Sequence, residues 1–148
     1  MAKFIINESK ELKGKVRISG AKNSALPVIA ASILAEGESV IEEVPFLNDV
    51  IIMCQLMEVL GSKVKLLDKD NTLVISSDKI TNTVAPYELV HKMRASFLIA
   101  GPLLAKTGYA KIPLPGGCAI GTRPVDLHLK GFAAMGAQIN QGHGDVEV

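Results

Sequence analysis

The chain has 148 residues, of which 48% are hydrophobic and 21% charged. That is the length of one domain, or of part of a larger protein, and its apolar content excludes a disordered segment. The net charge is +1, the basic residues are scattered and aromatics make up only 4%, which excludes a basic nucleic-acid face with stacking platforms.

No basic stretch followed by an apolar one opens the chain, so no secretory leader is expected. A strand is predicted over 14–19. SGAKN at 19–23 then turns the chain into an apolar helix over 23–35. Lys22 at this turn could meet an anion at a helix start, or could be a solvated lysine beside an N-cap Asn23. A short strand follows over 39–44. An amphipathic helix runs over 48–60, with Asn48 as its N-cap and Gly61 where it stops. Cys54 on this helix reads as a core or helix-face thiol. Strands over 63–67 and 72–76 close the series around a turn at 68–71.

The same series then recurs, as a search for internal repeats shows. NSALPVIAASILAEG at 23–37 resembles RASFLIAGPLLAKTG at 94–108, and Leu34-Ala35 matches Leu104-Ala105 at an offset of 70. The second series predicts a helix over 93–106, a strand over 109–114, a helix over 124–135 and strands over 137–140 and 145–148. Pro124 suits the first turn of its helix, and Gly136 its end. Residues 141–144 make the hairpin turn. The fold class is therefore α/β, in tandem βαβαββ units of about 70 residues. The leading segment is 1–21, and the units are 22–84 and 85–148. Both apolar runs, 25–35 and 97–105, fall short of the ~18 residues of a membrane span and contain proline. Two cysteines are too few for a disulfide framework. A soluble protein of a reducing, cytoplasmic compartment is expected.

Pro45 matches Pro115 at an offset of 70, but Leu60 matches Met135 at 75, so the second unit carries five extra residues. They fall most naturally in 116–123, and inserted loops carry function on repeated scaffolds. Cys118 lies there with Gly116, Gly117 and Gly121. Beside Arg123 and a helix start, its thiol would ionise more readily and could serve as acid or nucleophile; a small apolar filler in a tight loop is the alternative. Arg123 could fork onto a phosphate or carboxylate, or be a surface arginine. Asp126 is either a first-turn acid or a ligand contact. Arg94 sits near the equivalent of Asn23, and an arginine at the start of an apolar helix needs an anionic partner. His91, His128 and His143 lack metal-ligand spacing, so no metal site is expected. Ser19 and Lys22 form an S-x-x-K, and Lys106-Thr107-Gly108 a K-T-G, as in penicillin-recognising serine enzymes. Those enzymes need K-T-G on a strand, whereas here it follows a predicted helix.

SGAKN, MRAS at 93–96 and LPGGCAIGTRPVDLH at 114–128 together resemble the enolpyruvyl transferases, in the branch that acts on UDP-N-acetylglucosamine. The resemblance runs over nearly the whole chain. It implies an inside-out α/β barrel of two domains, each of three such units. It also implies transfer of the enolpyruvyl group of phosphoenolpyruvate to the 3-hydroxyl of UDP-N-acetylglucosamine, the first committed step of peptidoglycan synthesis. Cys118 would be the general acid and the target of fosfomycin. Lys22, Asn23 and Arg123 would hold phosphoenolpyruvate. Asn23, Arg94, Arg123, Pro124, Val125, Asp126 and Leu127 would contact the sugar nucleotide. No metal or organic cofactor is implied, and neither a nucleic acid nor a membrane is an expected partner. Against that pattern the chain holds two units, with the third unit and second domain absent. The expectation is a fragment that is inactive alone, or one whose uncovered repeat edge is closed by self-association. The competing class is a sugar-nucleotide-binding module without turnover.

Overall fold

A computed structural model of the protein describes residues 3–8, 11–67, 71–115 and 124–148. Helix α1, Lys22–Ala31, tightens into a 3-10 turn at Ser32–Leu34 and leads to strand β1, Glu38–Ile41. Helix α2, Asn48–Leu60, buries Met53, Leu56, Met57 and Leu60, the one-face spacing that drives an amphipathic helix onto a core. Strands β2, Lys63–Leu67, and β3, Thr72–Ser76, follow. The second half repeats the order. A short helix α3, Tyr87–Val90, and a 3-10 helix, Arg94–Ile99, run into α4, Ala100–Thr107. Then come β4, Lys111–Pro113, helix α5, Asp126–Ala134, and strands β5, Asn140–Gln141, and β6, Asp145–Glu147.

The two sheets share one topology, β1-β3-β2 and β4-β6-β5, with antiparallel pairing throughout. In each, a helix crosses over between two parallel outer strands, and the last strand inserts between them. Ile41 pairs with Leu73, and Ile112 with Val146. One hydrophobic core joins the halves, with Ile29, Ile33, Met53, Leu73, Ile99, Leu103 and Ile112 all essentially inaccessible to water. Between the halves, the Lys106 ammonium donates to the carbonyls of Ser77 at 2.7 Å and Ala35 at 3.3 Å.

Four expectations are corrected. Residues 14–19 form no strand, since no described residue pairs with them as a strand partner; Val16 and Ile18 are more than 80% exposed. In the second half one isolated parallel bridge forms ahead of the helices, Val84 with Lys111. Asn48 is the first residue of α2 rather than its cap: Leu47 holds the cap position, its carbonyl taking the N–H groups of Val50 and Ile51. Pro124 precedes α5, whose cap is Val125 for the same reason, with His128 and Leu129 bonded to its carbonyl. The apolar helices predicted over 23–35 and 93–106 each divide into a 3-10 and an α segment.

Gly61 ends α2 with φ +109, and Gly136 follows α5 with φ +94, as glycines do at helix ends. Their surroundings differ. The stretch after β3 covers Gly61, with the N–H groups of Thr81 and Asn82 bonded to the Leu60 carbonyl. Beside Gly136 a groove of about 550 Å³ stays open, lined by Leu104, Tyr109, Ile139 and Val148.

Candidate active site

SGAKN is shaped by close backbone approach. A Cβ on Gly20 would lie 2.0 Å from the Glu43 carbonyl oxygen, so only glycine fits. Ser19 and Gly20 line a cleft of about 600 Å³ with Arg17, Glu43, Pro45 and Asn71, and Arg17 pairs with Glu43 across it. Ala21, extended, then starts α1 by accepting the N–H groups of Ser24 and Ala25.

Lys22 is the first residue of α1, and its ammonium lies 2.6 Å from Oδ2 of Asp49, in the first turn of α2. The two side chains keep 39% and 31% of their exposure, so the pair faces solvent. An acid is favoured at a helix N-terminus. Asn23 is exposed beside it. Pro27 lies inside α1 and has no N–H to give the Asn23 carbonyl.

The second cluster joins two motifs thirty residues apart. Arg94 opens the 3-10 helix, and its guanidinium donates to the Pro124 carbonyl at 3.1 Å. The ring of Phe97 meets that of His128 at 5.7 Å. MRAS therefore packs against the start of α5. Asp126 is a first-turn acid of that helix, Leu127 is 77% exposed, and Val125 turns its side chain into the core. Among the described residues, the hydrogen-bond partner of Arg94 is the Pro124 backbone carbonyl. Ser96, two residues on, buries its hydroxyl with no partner among the described residues.

Cys118 and Arg123, with the glycines around them, lie outside the described residues. The described residues on either side are anchored. Leu114 donates its N–H to Gly144 in the β5–β6 turn, and Pro124 is held by Arg94. Cys54 sits half-buried on α2, where burial first and the Glu58 carboxylate second push its thiol up to about 11. It is a core-side thiol, as its sequence position suggests. Lys106 and Thr107 close α4 and Gly108 ends it, so K-T-G is on no strand.

Among the described residues, no group of three or more His, Cys, Asp or Glu side chains converges as metal ligands would. His91 instead stacks on Tyr87 at 5.2 Å. No helix among them is long and apolar enough to cross a membrane. Sequence reasoning missed Asp49: its one signal was an acid in a predicted first helical turn, which does not point to a lysine 27 residues earlier.

Comparison with known proteins bears on this geometry. The fold resembles the enolpyruvyl transferase NikO from Streptomyces tendae, with a TM-score of 0.77 at 21% identity, over 92% of this chain and 29% of that one. The chain is 53% identical over 147 residues to UDP-N-acetylglucosamine 1-carboxyvinyltransferase 2 of Carboxydothermus hydrogenoformans, covering 99% of this chain and 35% of that protein. It is 55% identical over 145 residues to UDP-N-acetylglucosamine 1-carboxyvinyltransferase 1 of Caldanaerobacter subterraneus, covering 98% and 34%. It is 56% identical over 142 residues to the UDP-N-acetylglucosamine 1-carboxyvinyltransferase of Finegoldia magna, covering 96% and 33%. The chain thus spans about a third of the length of the curated relatives it matches. The family model described as EPSP synthase (3-phosphoshikimate 1-carboxyvinyltransferase) matches residues 6–148, and the chain belongs to that family.

Proposed function

We propose that the protein carrying this sequence transfers the enolpyruvyl group of phosphoenolpyruvate to the 3-hydroxyl of UDP-N-acetylglucosamine, in the cytoplasm, as the first committed step of peptidoglycan synthesis. The observation that carries the reading is the junction of MRAS with the RPVDLH stretch through Arg94 and Pro124. It occurs in a chain 53–56% identical to carboxyvinyltransferases that act, by their names, on UDP-N-acetylglucosamine.

The transfer is redox-neutral and proceeds by addition and elimination. The 3-hydroxyl of the sugar gives its proton to a general base and its oxygen bonds to C2 of phosphoenolpyruvate, while C3 takes a proton from a general acid. The C2–O bond to phosphate then breaks and C3 gives the proton back. Protonating carbon demands a positioned acid, the role assigned to Cys118, which can also form a phospholactoyl-type adduct and react with fosfomycin. Lys22, Asn23 and Arg123 hold phosphoenolpyruvate, whose charges call for cationic partners. Asn23, Arg94, Arg123 and 124–127 hold the sugar nucleotide. The division into a leading segment 1–21 and units 22–84 and 85–148 belongs to the same reading. So does self-association of the 148-residue chain through the open groove beside Gly136, read as a mass that rises with concentration in light scattering.

The test is phosphate release from phosphoenolpyruvate by the intact gene product. Release that needs UDP-N-acetylglucosamine and vanishes in Cys118→Ala is the expected result. Fosfomycin should add its mass to the wild type and leave Cys118→Ala unchanged. Tight sugar-nucleotide binding with no phosphate release would replace the enzyme by a binding module.

A further inference from the structure

Lys22 is placed where an unaided lysine would not stay. It stands in the first turn of α1, at the positive end of that helix's dipole, and α1 packs against α2, whose own N-terminal turn carries Asp49. A flexible four-carbon stem would let the ammonium swing away into water. Instead it is held 2.6 Å from Asp49 Oδ2, its one hydrogen-bond partner among the described residues. An ammonium has three donors, and Asp49 takes one. The remaining N–H groups belong to a pair that keeps about a third of its surface open to solvent.

We propose that Asp49 is a positioning residue for the anionic substrate: it fixes the Lys22 ammonium where the N-termini of α1 and α2 converge, with two donors free to take a carboxylate or phosphate oxygen. The identity of that anion as phosphoenolpyruvate rests on the function proposed above. Asp49 itself does not touch the substrate. A carboxylate beside the binding lysine weakens its net attraction for an anion, so the arrangement makes sense only if placement matters more than charge.

The test compares Asp49→Asn and Asp49→Glu with wild type in the intact gene product. Asp49→Asn removes the charge and frees Lys22, so the KM for phosphoenolpyruvate should rise by about tenfold to a hundredfold, the usual loss when a binding group is misplaced. The KM for UDP-N-acetylglucosamine should stay within about twofold, and Asp49→Glu should recover most of the loss. A merely structural role would move both KM values and the unfolding midpoint together, and would overturn the proposal. So would an unchanged or lower KM for phosphoenolpyruvate in Asp49→Asn. A second readout does not depend on turnover: the 15N-labelled Lys22 ammonium should give a slowly exchanging NMR signal that shifts with inorganic phosphate, and Asp49→Asn should abolish it. If wild type releases no phosphate from phosphoenolpyruvate, the enzyme reading fails, and this signal alone decides. A phosphate response lost in Asp49→Asn then upholds Asp49 as positioning Lys22 for an anion. No response, or one unchanged in Asp49→Asn, overturns it.

Discussion

Ser96 is fully buried, and its hydroxyl has no hydrogen-bond partner among the described residues. Leaving a buried polar group unmade costs about 1–3 kcal/mol, while removing it costs only a small void. Ser96→Ala should therefore leave stability unchanged or raise it by about 1 kcal/mol in urea unfolding. A clear loss would mean that the hydroxyl is bonded in solution. The thiol of Cys54 makes the opposite kind of prediction. Its folded value of about 11 stands above the ordinary 9.0, so the proton is held more tightly in the folded state. The stability this contributes is fully present below pH 9 and is lost as pH rises through about 11, because the unfolded thiol ionises first. Alkylation of Cys54 should accordingly be negligible at pH 8 in the folded chain and brisk once it is unfolded, as peptide mass mapping would show. Fast labelling of folded protein at pH 8 would contradict the burial.

At the scale of elements, the two helix-ending glycines separate two costs that usually travel together. Gly136 at φ +94 has no atom within 4 Å of the place a Cβ would take, so Gly136→Ala carries only backbone strain, about 1–2 kcal/mol. Gly61 at φ +109 would place a Cβ 2.7 Å from the Thr81 nitrogen and 2.9 Å from the Lys79 oxygen, and neither backbone atom can yield without moving its strand of chain. Gly61→Ala should cost about 1–3 kcal/mol more. Equal losses in urea unfolding would show that the stretch after β3 lifts away easily. Much at this scale was legible. The bounds of α2, β2 and β3 are those the periodicity predicts, because the apolar spacing of α2 and the turn residues beside each strand act locally. The caps were misplaced by one or two positions, since Leu47 and Val125 serve through backbone carbonyls, which any residue type can supply.

For the whole molecule, Lys106 ties the halves together. Its ammonium reaches the carbonyl of Ala35, after the first 3-10 turn, and that of Ser77, after β3, from the end of α4. Hydrogen bonds to a charged group contribute about 1.5–3 kcal/mol, so Lys106→Met should cost that order of stability. It should also speed amide exchange on both sides of the joint at once. Faster exchange confined to 100–113 would mean that the lysine serves only its own half.

The sequence by itself determined the α/β class, the doubled order of elements and the motifs that place the chain in its family. Each is carried by residues near one another along the chain, where periodicity and turn chemistry operate. The tertiary structure alone decided that Lys22 is held by Asp49, that Arg94 reaches the carbonyl of Pro124, and that Gly20 makes room for the Glu43 carbonyl. It also decided that residues 14–19 form no strand with any described residue. Those are contacts between residues about 20 to 30 positions apart or more, brought within bonding distance by the packing of helices and sheets around one core. No local pattern encodes such distances, because each depends on where every intervening element has been laid.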